Sequence, residues 1–316
     1  MAAGKGTRMR SATPKVLHRI GGRSLLEHAV TAARGLSPER LVVVVRHERD
    51  AVVAHLAQVA PDVVPADQDD IPGTGRAVAC GLASLPDDAA GAVVVTSGDV
   101  PLLDTATLEA VLAQHEDRGD AVTVLTTVLE DPTGYGRVVR TAAGTVSGIV
   151  EHRDANPEQR AIKEINAGVY VFDAAHLRQA LTALSTDNDQ GEAYLTDVVS
   201  HAYNAGLPTS ALAVTDHWLV EGCNDRAQLA SLGAELNRRV LARWMEQGVG
   251  VTDPATTWVD VTVTLAPDVQ LEPGAILRGA TSVGQGAVIG AHSVLDDAEV
   301  PAGAVVEPLS RLTATR

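Results

Sequence analysis

Rings and cysteines are scarce in this sequence. Phe, Trp and Tyr together make up 3% of the 316 residues, so a core has to be assembled from Ala, Val, Leu and Ile. Two cysteines, Cys80 and Cys223, stand far apart. They form neither a disulfide framework nor a metal-ligand spacing, which fits a reducing, cytoplasmic location. No apolar run approaches the ~18 residues needed to cross a bilayer, and the N-terminus lacks the apolar middle of a signal peptide. Positive charge is also short: 25 Lys+Arg face 40 Asp+Glu, a net −15. Such a balance argues against a nucleic-acid surface. The expectation is a soluble cytoplasmic protein with no nucleic-acid or membrane partner, and with length for two domains.

One stretch runs against the overall charge. The first 26 residues hold Lys5, Arg8, Arg10, Lys15, Arg19 and Arg23, and no acid before Glu27. A local cationic pocket in an acidic protein suits a small anion, although a solvated basic face accounts for the same charges.

Two patterns divide the chain. From Leu41 to about Thr215, β-branched runs such as 41–45 and 92–96 alternate with helical periodicity near 49–60, 105–117, 173–184 and 194–205. This predicts an α/β domain with a mostly parallel sheet, whose ligands sit beyond the carboxyl ends of the strands. Leu229, Leu232, Leu236 and Val240 then mark a linking helix over 225–250. After it Val259, Leu265, Leu271, Leu277, Val283, Ile289 and Leu295 recur every six residues, the period of a parallel β-helix. Residues 259–306 are expected to supply fewer than three coils. The predicted domains are therefore 1–224, a link at 225–250, and a short solenoid at 251–316.

Several constellations suit phosphate chemistry. Ala2-Ala3-Gly4-Lys5-Gly6-Thr7-Arg8-Met9 is followed by Pro14-Lys15. Glycines let backbone N–H groups approach phosphate, and Lys5, Arg8 and Lys15 add charge. The run is neither a Walker loop nor a dinucleotide fingerprint. Asp99 follows a strand, where a carboxylate suits magnesium; alone, an Asp there also caps a turn. Gly134-Tyr135-Gly136-Arg137 reads as a glycine-flanked turn between strands. Glu151 ends a strand and Asn166 begins the strand 167–172. His18, His28, His47 and His55 fall at no metal spacing and read as structural or surface residues, and Cys223 reads as inert.

Together these residues resemble the sugar-1-phosphate nucleotidylyltransferases, and among them the bacterial bifunctional N-acetylglucosamine-1-phosphate uridyltransferase/glucosamine-1-phosphate acetyltransferase (GlmU) family. Further matching motifs are Gly73-Thr74-Gly75, Gly98-Asp99-Val100-Pro101-Leu102, Asp131-Pro132-Thr133-Gly134-Tyr135-Gly136-Arg137, Ile149-Val150-Glu151-His152, Glu164-Ile165-Asn166-Ala167-Gly168, Tyr194-Leu195-Thr196-Asp197 and Glu221-Gly222-Cys223-Asn224-Asp225. They run in the family's order over nearly the whole chain. The resemblance implies a Rossmann-like nucleotidyltransferase domain followed by a short left-handed parallel β-helix. It implies formation of UDP-N-acetylglucosamine and pyrophosphate from UTP and N-acetylglucosamine-1-phosphate, with Mg²⁺ as cofactor.

By the same resemblance Met1, Ala2, Ala3, Gly4, Gln68, Gly73, Thr74, Ser97 and Gly98 contact the nucleotide. Arg8, Lys15 and Asp99 carry the catalysis, with Lys15 and Asp99 also touching nucleotide. Asp99 and Asn224 hold the metal, and Gly136, Glu151, Asn166 and Asn224 grip the sugar. Association of three chains through the β-helix is the family expectation, weakened by the shortness of the solenoid.

The sequence departs from the family in three places. The family opens with an apolar strand running into the glycine loop, whereas Met1 here stands at that strand's end, so the native start is expected upstream. The family's acetyltransferase residues lie beyond the last coil, so acetyl transfer is expected to be absent. Pro72 and Arg76 replace the usual Leu and His beside Gly73-Thr74-Gly75, which bears on strict UTP preference. Two alternatives stay open: a nucleotidyltransferase for another sugar-1-phosphate, and a non-catalytic nucleotide-sugar-binding remnant.

Overall fold

The computed structural model describes residues 1–86, 88–188 and 190–314. The chain divides into two compact units. One comprises Met1–Leu17 and Leu25–Asn224; the other comprises His18–Ser24 and the residues from Asp225 onward. The excursion into the second unit is a hairpin of β1 (Arg19–Ile20) and β2 (Arg23–Ser24). It divides the basic N-terminal stretch. Lys5, Arg8, Arg10 and Lys15 belong to the first unit, while Arg19 and Arg23 belong to the second. The cationic cluster of the first unit is thus smaller than the charge pattern suggests.

The first unit runs α1 (Leu25–Gly35), β3 (Val42–Val45), α2 (Arg49–Val59), β4 (Val64–Asp67), α3 (Thr74–Leu82), β5 (Ala92–Val95), α4 (Thr105–Arg118) and β6 (Val122–Val128). It continues with β7 (Arg137–Arg140), β8 (Val146–Val150), α5 (Pro157–Arg160), β9 (Glu164–Asp173), α6 (Ala174–Thr182), α7 (Asp197–Asn204) and β10 (Thr209–Val214). β3 lies parallel to β4, and β10 parallel to β6. β9 runs antiparallel to both β5 and β6, so those two strands share a direction. β7 and β8 form an antiparallel hairpin, and β7 also meets β9 in the antiparallel sense at Arg137 and Ile165. β3 is four valines, the last three buried, because both of its faces are covered.

Met1 and Ala2 lie between β3 and β5. Ala2 bridges Val45 in the parallel sense and its N–H donates to the Val44 carbonyl at 2.8 Å. The Met1 nitrogen donates to the Thr96 carbonyl at 2.7 Å, and the Met1 carbonyl accepts from Gly98 N–H at 2.7 Å. The glycine loop, Gln68 after β4 and the Ser97–Asp99 turn after β5 therefore share the carboxyl edge of the parallel strands.

Asn166 differs from its predicted place at a strand start: it lies inside β9. The residues before it pair with the end of β6, and the register shifts between Val124 and Thr126. The strand begins at Glu164 and continues through this local irregularity.

The second unit begins with α8 (Arg226–Glu246), capped by Asp225, whose side chain accepts from Gln228 N–H. Expected as a link between domains, α8 is an integral part of this unit. Val240, Leu241 and Trp244 join Val249, Val259, Leu271 and Leu277 in one apolar cluster. The buried Asn237 amide donates to the Thr257 carbonyl at 2.8 Å and accepts from Val259 N–H at 3.0 Å.

The solenoid consists of β11 (Gly250–Val251), β12 (Trp258–Val259), β13 (Thr264–Leu265), β14 (Gln270–Leu271), β15 (Ile276–Arg278), β16 (Ser282–Val283), β17 (Val288–Ile289), β18 (Val294–Asp296), β19 (Glu299–Val300), β20 (Val305–Val306) and β21 (Arg311–Thr313). They stack as three parallel sheets, β11-β14-β17-β20, β12-β15-β18-β21 and β13-β16-β19. This amounts to three turns of three strands plus two further strands, more than the hexapeptide count indicated. The count fell short because β11 and β21 lie outside residues 259–306; within that range β16 and β19 pair Val283 with Val300, a spacing one residue short of eighteen, and the corner at Asp297 takes a left-handed conformation at φ 52°. The last two residues of the predicted 251–316 segment lie outside the described residues. Among the described residues, no helix is long and apolar enough to cross a membrane.

Stability of the solenoid depends on its inward residues. Leu277→Ala, at a fully buried position, is expected to lower unfolding free energy by about 2–5 kcal/mol in chemical denaturation. Val305→Ala, at a position 66% exposed, is expected to change it by less than about 0.5 kcal/mol.

Candidate active site

The glycine loop turns into a short 3-10 segment, Thr7–Met9, through Gly6 in the left-handed conformation. A Cβ on Gly6 would lie 2.6 Å from the Lys15 Cβ, so this position admits glycine only while Lys15 packs beneath the loop. Lys15 begins a second 3-10 turn, Lys15–Leu17. Its ammonium forms a close ion pair with Asp99 Oδ2 and donates to Asn224 Oδ1 at 3.4 Å. The Lys15 and Asp99 side chains are 12% and 20% exposed, so water screens this pair only in part. The Asp99 carbonyl accepts from Cys223 N–H at 2.8 Å, which joins the two segments that carry the oxygens. Cys223 is fully buried, and its backbone makes this link.

Two oxygen donors from distant segments thus converge on one cation. That donor chemistry fits a hard divalent ion, which prefers carboxylate and carbonyl oxygens. Among the described residues, no group of three or more His, Cys, Asp or Glu is placed to hold a metal. A divalent ion at Asp99 and Asn224 would therefore complete its shell from water and phosphate oxygens, the usual habit of magnesium. Arg8 lies on the 3-10 segment as an exposed side chain, placed on the same loop as Lys5 but outside the compact ion cluster.

The predicted base-reading loop is shaped by the chain around it. Gln68 Nε2 donates to the carbonyls of Ile71 at 3.0 Å and Gly73 at 3.2 Å, so half of its amide holds the loop closed. Gly73 has φ 119°, and a Cβ there would collide with the Ala193 backbone. Ala193 N–H donates to Pro72 at 3.2 Å, and Gly75 N–H donates to Ala193 at 2.8 Å. The Thr74 hydroxyl accepts from Leu195 N–H at 3.0 Å. Arg76 pairs through Nε and Nη2 with Asp69, which holds the Asp69 carboxyl below its usual range. The Pro72 and Arg76 departures therefore belong to a loop closed by its own contacts.

Three of the four predicted sugar residues, Gly136, Glu151 and Asn166, also come together, while Asn224 meets Lys15. Asn166 N–H donates to the Gly136 carbonyl at 2.9 Å. Gly136 packs against Ile149 and Asn166, with Glu151 Oε1 beside it. The Asn166 side chain donates to the Tyr170 hydroxyl at 2.6 Å and accepts from Gly168 N–H at 3.0 Å. Glu151 accepts from the Thr196 hydroxyl at 3.3 Å, and burial raises its pKa above the ordinary value. Tyr135 donates toward Glu221 at 3.5 Å, and burial with that carboxylate pushes its phenol up to about 12.

Tyr135, Tyr170, Thr196 and Glu221 were not singled out from the sequence. Tyr135, Thr196 and Glu221 lie inside quoted motifs, but only folding shows which neighbour each one holds. Tyr170 has no motif signal of its own.

The burial of Glu151 has a measurable consequence. Because its folded pKa lies above its unfolded one, ionisation costs stability as pH rises past the ordinary value of 4.5. Glu151→Gln is therefore expected to match wild-type stability below that value and to exceed it at pH 8. Denaturant titrations across pH check this; a gap that widens toward acid would contradict the burial argument.

The MobA-like NTP transferase domain family matches residues 1–202. The Bifunctional protein GlmU of Kineococcus radiotolerans is 58% identical over 307 residues, covering 97% of this chain and 62% of that protein. The protein of the same name from Micrococcus luteus is 56% identical over 320 residues, covering 97% of this chain and 64% of its own. That of Cutibacterium acnes is 51% identical over 312 residues, covering 97% of this chain and 74% of its own. The chain thus spans 62–64% of the first two of these relatives. With the site geometry and these likenesses together, the chain belongs to the GlmU family, and its first unit is a nucleotidyltransferase domain of the MobA-like kind.

Proposed function

We propose that this chain catalyses uridylyl transfer, forming UDP-N-acetylglucosamine and pyrophosphate from UTP and N-acetylglucosamine-1-phosphate. The observation that carries the reading is the convergence of Lys15, Asp99 and Asn224 on one cationic point, beside the Gly136–Glu151–Asn166 cluster. A phosphate site and a hydroxyl- and amide-binding site within one compact unit suit a nucleotide triphosphate and an amino-sugar phosphate.

Near pH 7 a sugar phosphate is already largely dianionic, since its second pKa is about 6. No general base is needed for its oxygen to attack. A bond forms between that oxygen and the α-phosphorus of UTP, while the bond from the α-phosphorus to the bridging oxygen breaks. The electron pair leaves with pyrophosphate. What remains for the protein is in-line positioning and charge neutralisation.

In this reading Asp99 and Asn224 hold Mg²⁺, which when bound neutralises and orients phosphate oxygens. Lys15, paired with the same two residues, adds positive charge for the phosphate oxygens. The glycine-loop amides and Arg8 add donors for the triphosphate. Gln68, Gly73 and Thr74 frame the base. Glu151 and Asn166 satisfy the hydroxyl and amide groups of the sugar, and the buried Glu151 carboxylate recovers its lost hydration from the ligand's donors.

The test is pyrophosphate release from UTP, N-acetylglucosamine-1-phosphate and Mg²⁺. Asp99→Ala is expected to lower kcat by about 100-fold or more, with nucleotide affinity changed far less. Folded wild-type protein that binds UTP without turnover would favour a binding module, and turnover with another sugar phosphate alone would overturn the amino-sugar assignment.

A further inference from the structure

Arg137 opens β7 and is 1% exposed. A guanidinium so deep in protein is costly unless its protons find acceptors. Its Nη1 donates to the Tyr135 carbonyl, and its Nη2 lies 3.2 Å from His152 Nδ1. Those acceptors sit on different segments. Tyr135 immediately precedes Gly136 in the turn before β7, and His152 immediately follows Glu151 at the end of β8. The pairing of Arg137 with Val150 across β7 and β8 sets the guanidinium between them. On its far side the same turn is tied by the Tyr135 hydroxyl to Glu221.

A guanidinium has five donors and no acceptor. The contact with His152 is therefore a hydrogen bond only when Nδ1 carries a lone pair, which makes the imidazole neutral with its proton on Nε2. Protonated His152 would lose this bond and set a second cation against a buried one. The charges around the pair are few. Asp131, from the loop before β7, attracts both Arg137 and His152; Arg160 of α5 opposes Arg137; Glu151 precedes His152 in the chain.

We propose that Arg137 is a positioning residue that latches the Tyr135–Gly136 turn to the Glu151–His152 segment, with His152 Nδ1 as its acceptor, so that the sugar-phosphate subsite is assembled only while that contact is made. The inference rests on the function proposed above and concerns the sugar side of the site alone. The nucleotide residues proposed above lie on the glycine loop, at Lys15 and in the segments after β4 and β5, and neither hydrogen bond of the latch involves them.

His152→Asn supplies an acceptor of similar reach that does not titrate, His152→Ala removes the acceptor, and Arg137→Lys reduces the fork to one point. Steady-state constants for both substrates are measured at pH about 8. His152→Ala and Arg137→Lys are expected to raise the KM for the sugar phosphate by about tenfold, the scale of one charge-assisted hydrogen bond, while leaving the KM for UTP within about twofold. His152→Asn, which keeps an acceptor, is expected to hold both KM values within about twofold of wild type.

An unchanged sugar-phosphate KM in His152→Ala and Arg137→Lys, or equal shifts in both KM values, overturns the latch. Nitrogen-15 spectra of the His152 ring give a readout free of turnover. An unprotonated Nδ1 at pH about 8, perturbed by Arg137→Lys, supports the latch even if this sugar phosphate is not the substrate. A proton on Nδ1 refutes the latch whatever the substrate.

Discussion

The ammonium of Lys15 is the point on which the candidate site depends. Three segments from far apart in the chain meet there: the end of the glycine loop, the turn after β5 and the strip before α8. Without a cation, Asp99 would be a half-buried carboxylate facing the Asn224 carbonyl oxygen, and both would need water. With it, each oxygen has a partner and the loop packs flat over the Lys15 stem at Gly6. The arrangement is economical in charge, since a positive group already occupies the place where phosphate chemistry needs positive charge.

The proposed sugar side is built on the opposite principle. Here the charged and polar groups are buried among partners that only partly satisfy them. Glu151 has the Thr196 hydroxyl, Asn166 has Tyr170 and Gly168, and Arg137 has one carbonyl and one imidazole nitrogen. Burial raises Glu151 and Tyr135 above their ordinary values because the ionised forms lose hydration. Such a site holds less stability than an apolar one would, and a ligand rich in hydroxyl and amide groups can return what was lost.

Much of this was legible in the sequence, for local reasons. Runs such as 42–45 and 92–95 announce strands, the first of them buried on both faces, and the helical stretches near 49, 105, 174, 197 and 226 carry their own periodicity. The six-residue repeat identifies the solenoid because each buried side chain sits at the same place on successive faces. The same periodic reading missed the first strand pair and the shortened coil, where a left-handed corner at Asp297 removes one residue and breaks the count. It also assigned Asn166 to a strand start, since nothing local signals that pairing with β6 carries the strand through. The six early basic residues read as one cluster, yet the β1–β2 hairpin assigns two of them to the other unit, a choice made by long-range packing.

The sequence by itself determined the residue types in the site and their order along the chain, because phosphate approach demands glycine and cations while ion binding demands carboxylate and amide oxygens. It also determined the two periodicities, which follow from how side chains point along helices and coils. Only the tertiary structure decided that Lys15 meets both Asp99 and Asn224, that Gly73 lies against Ala193, and that Arg137 joins Tyr135 to His152. These contacts span from two to about two hundred residues. Their energies come from desolvation and close approach, quantities that exist only once distant segments share one interior.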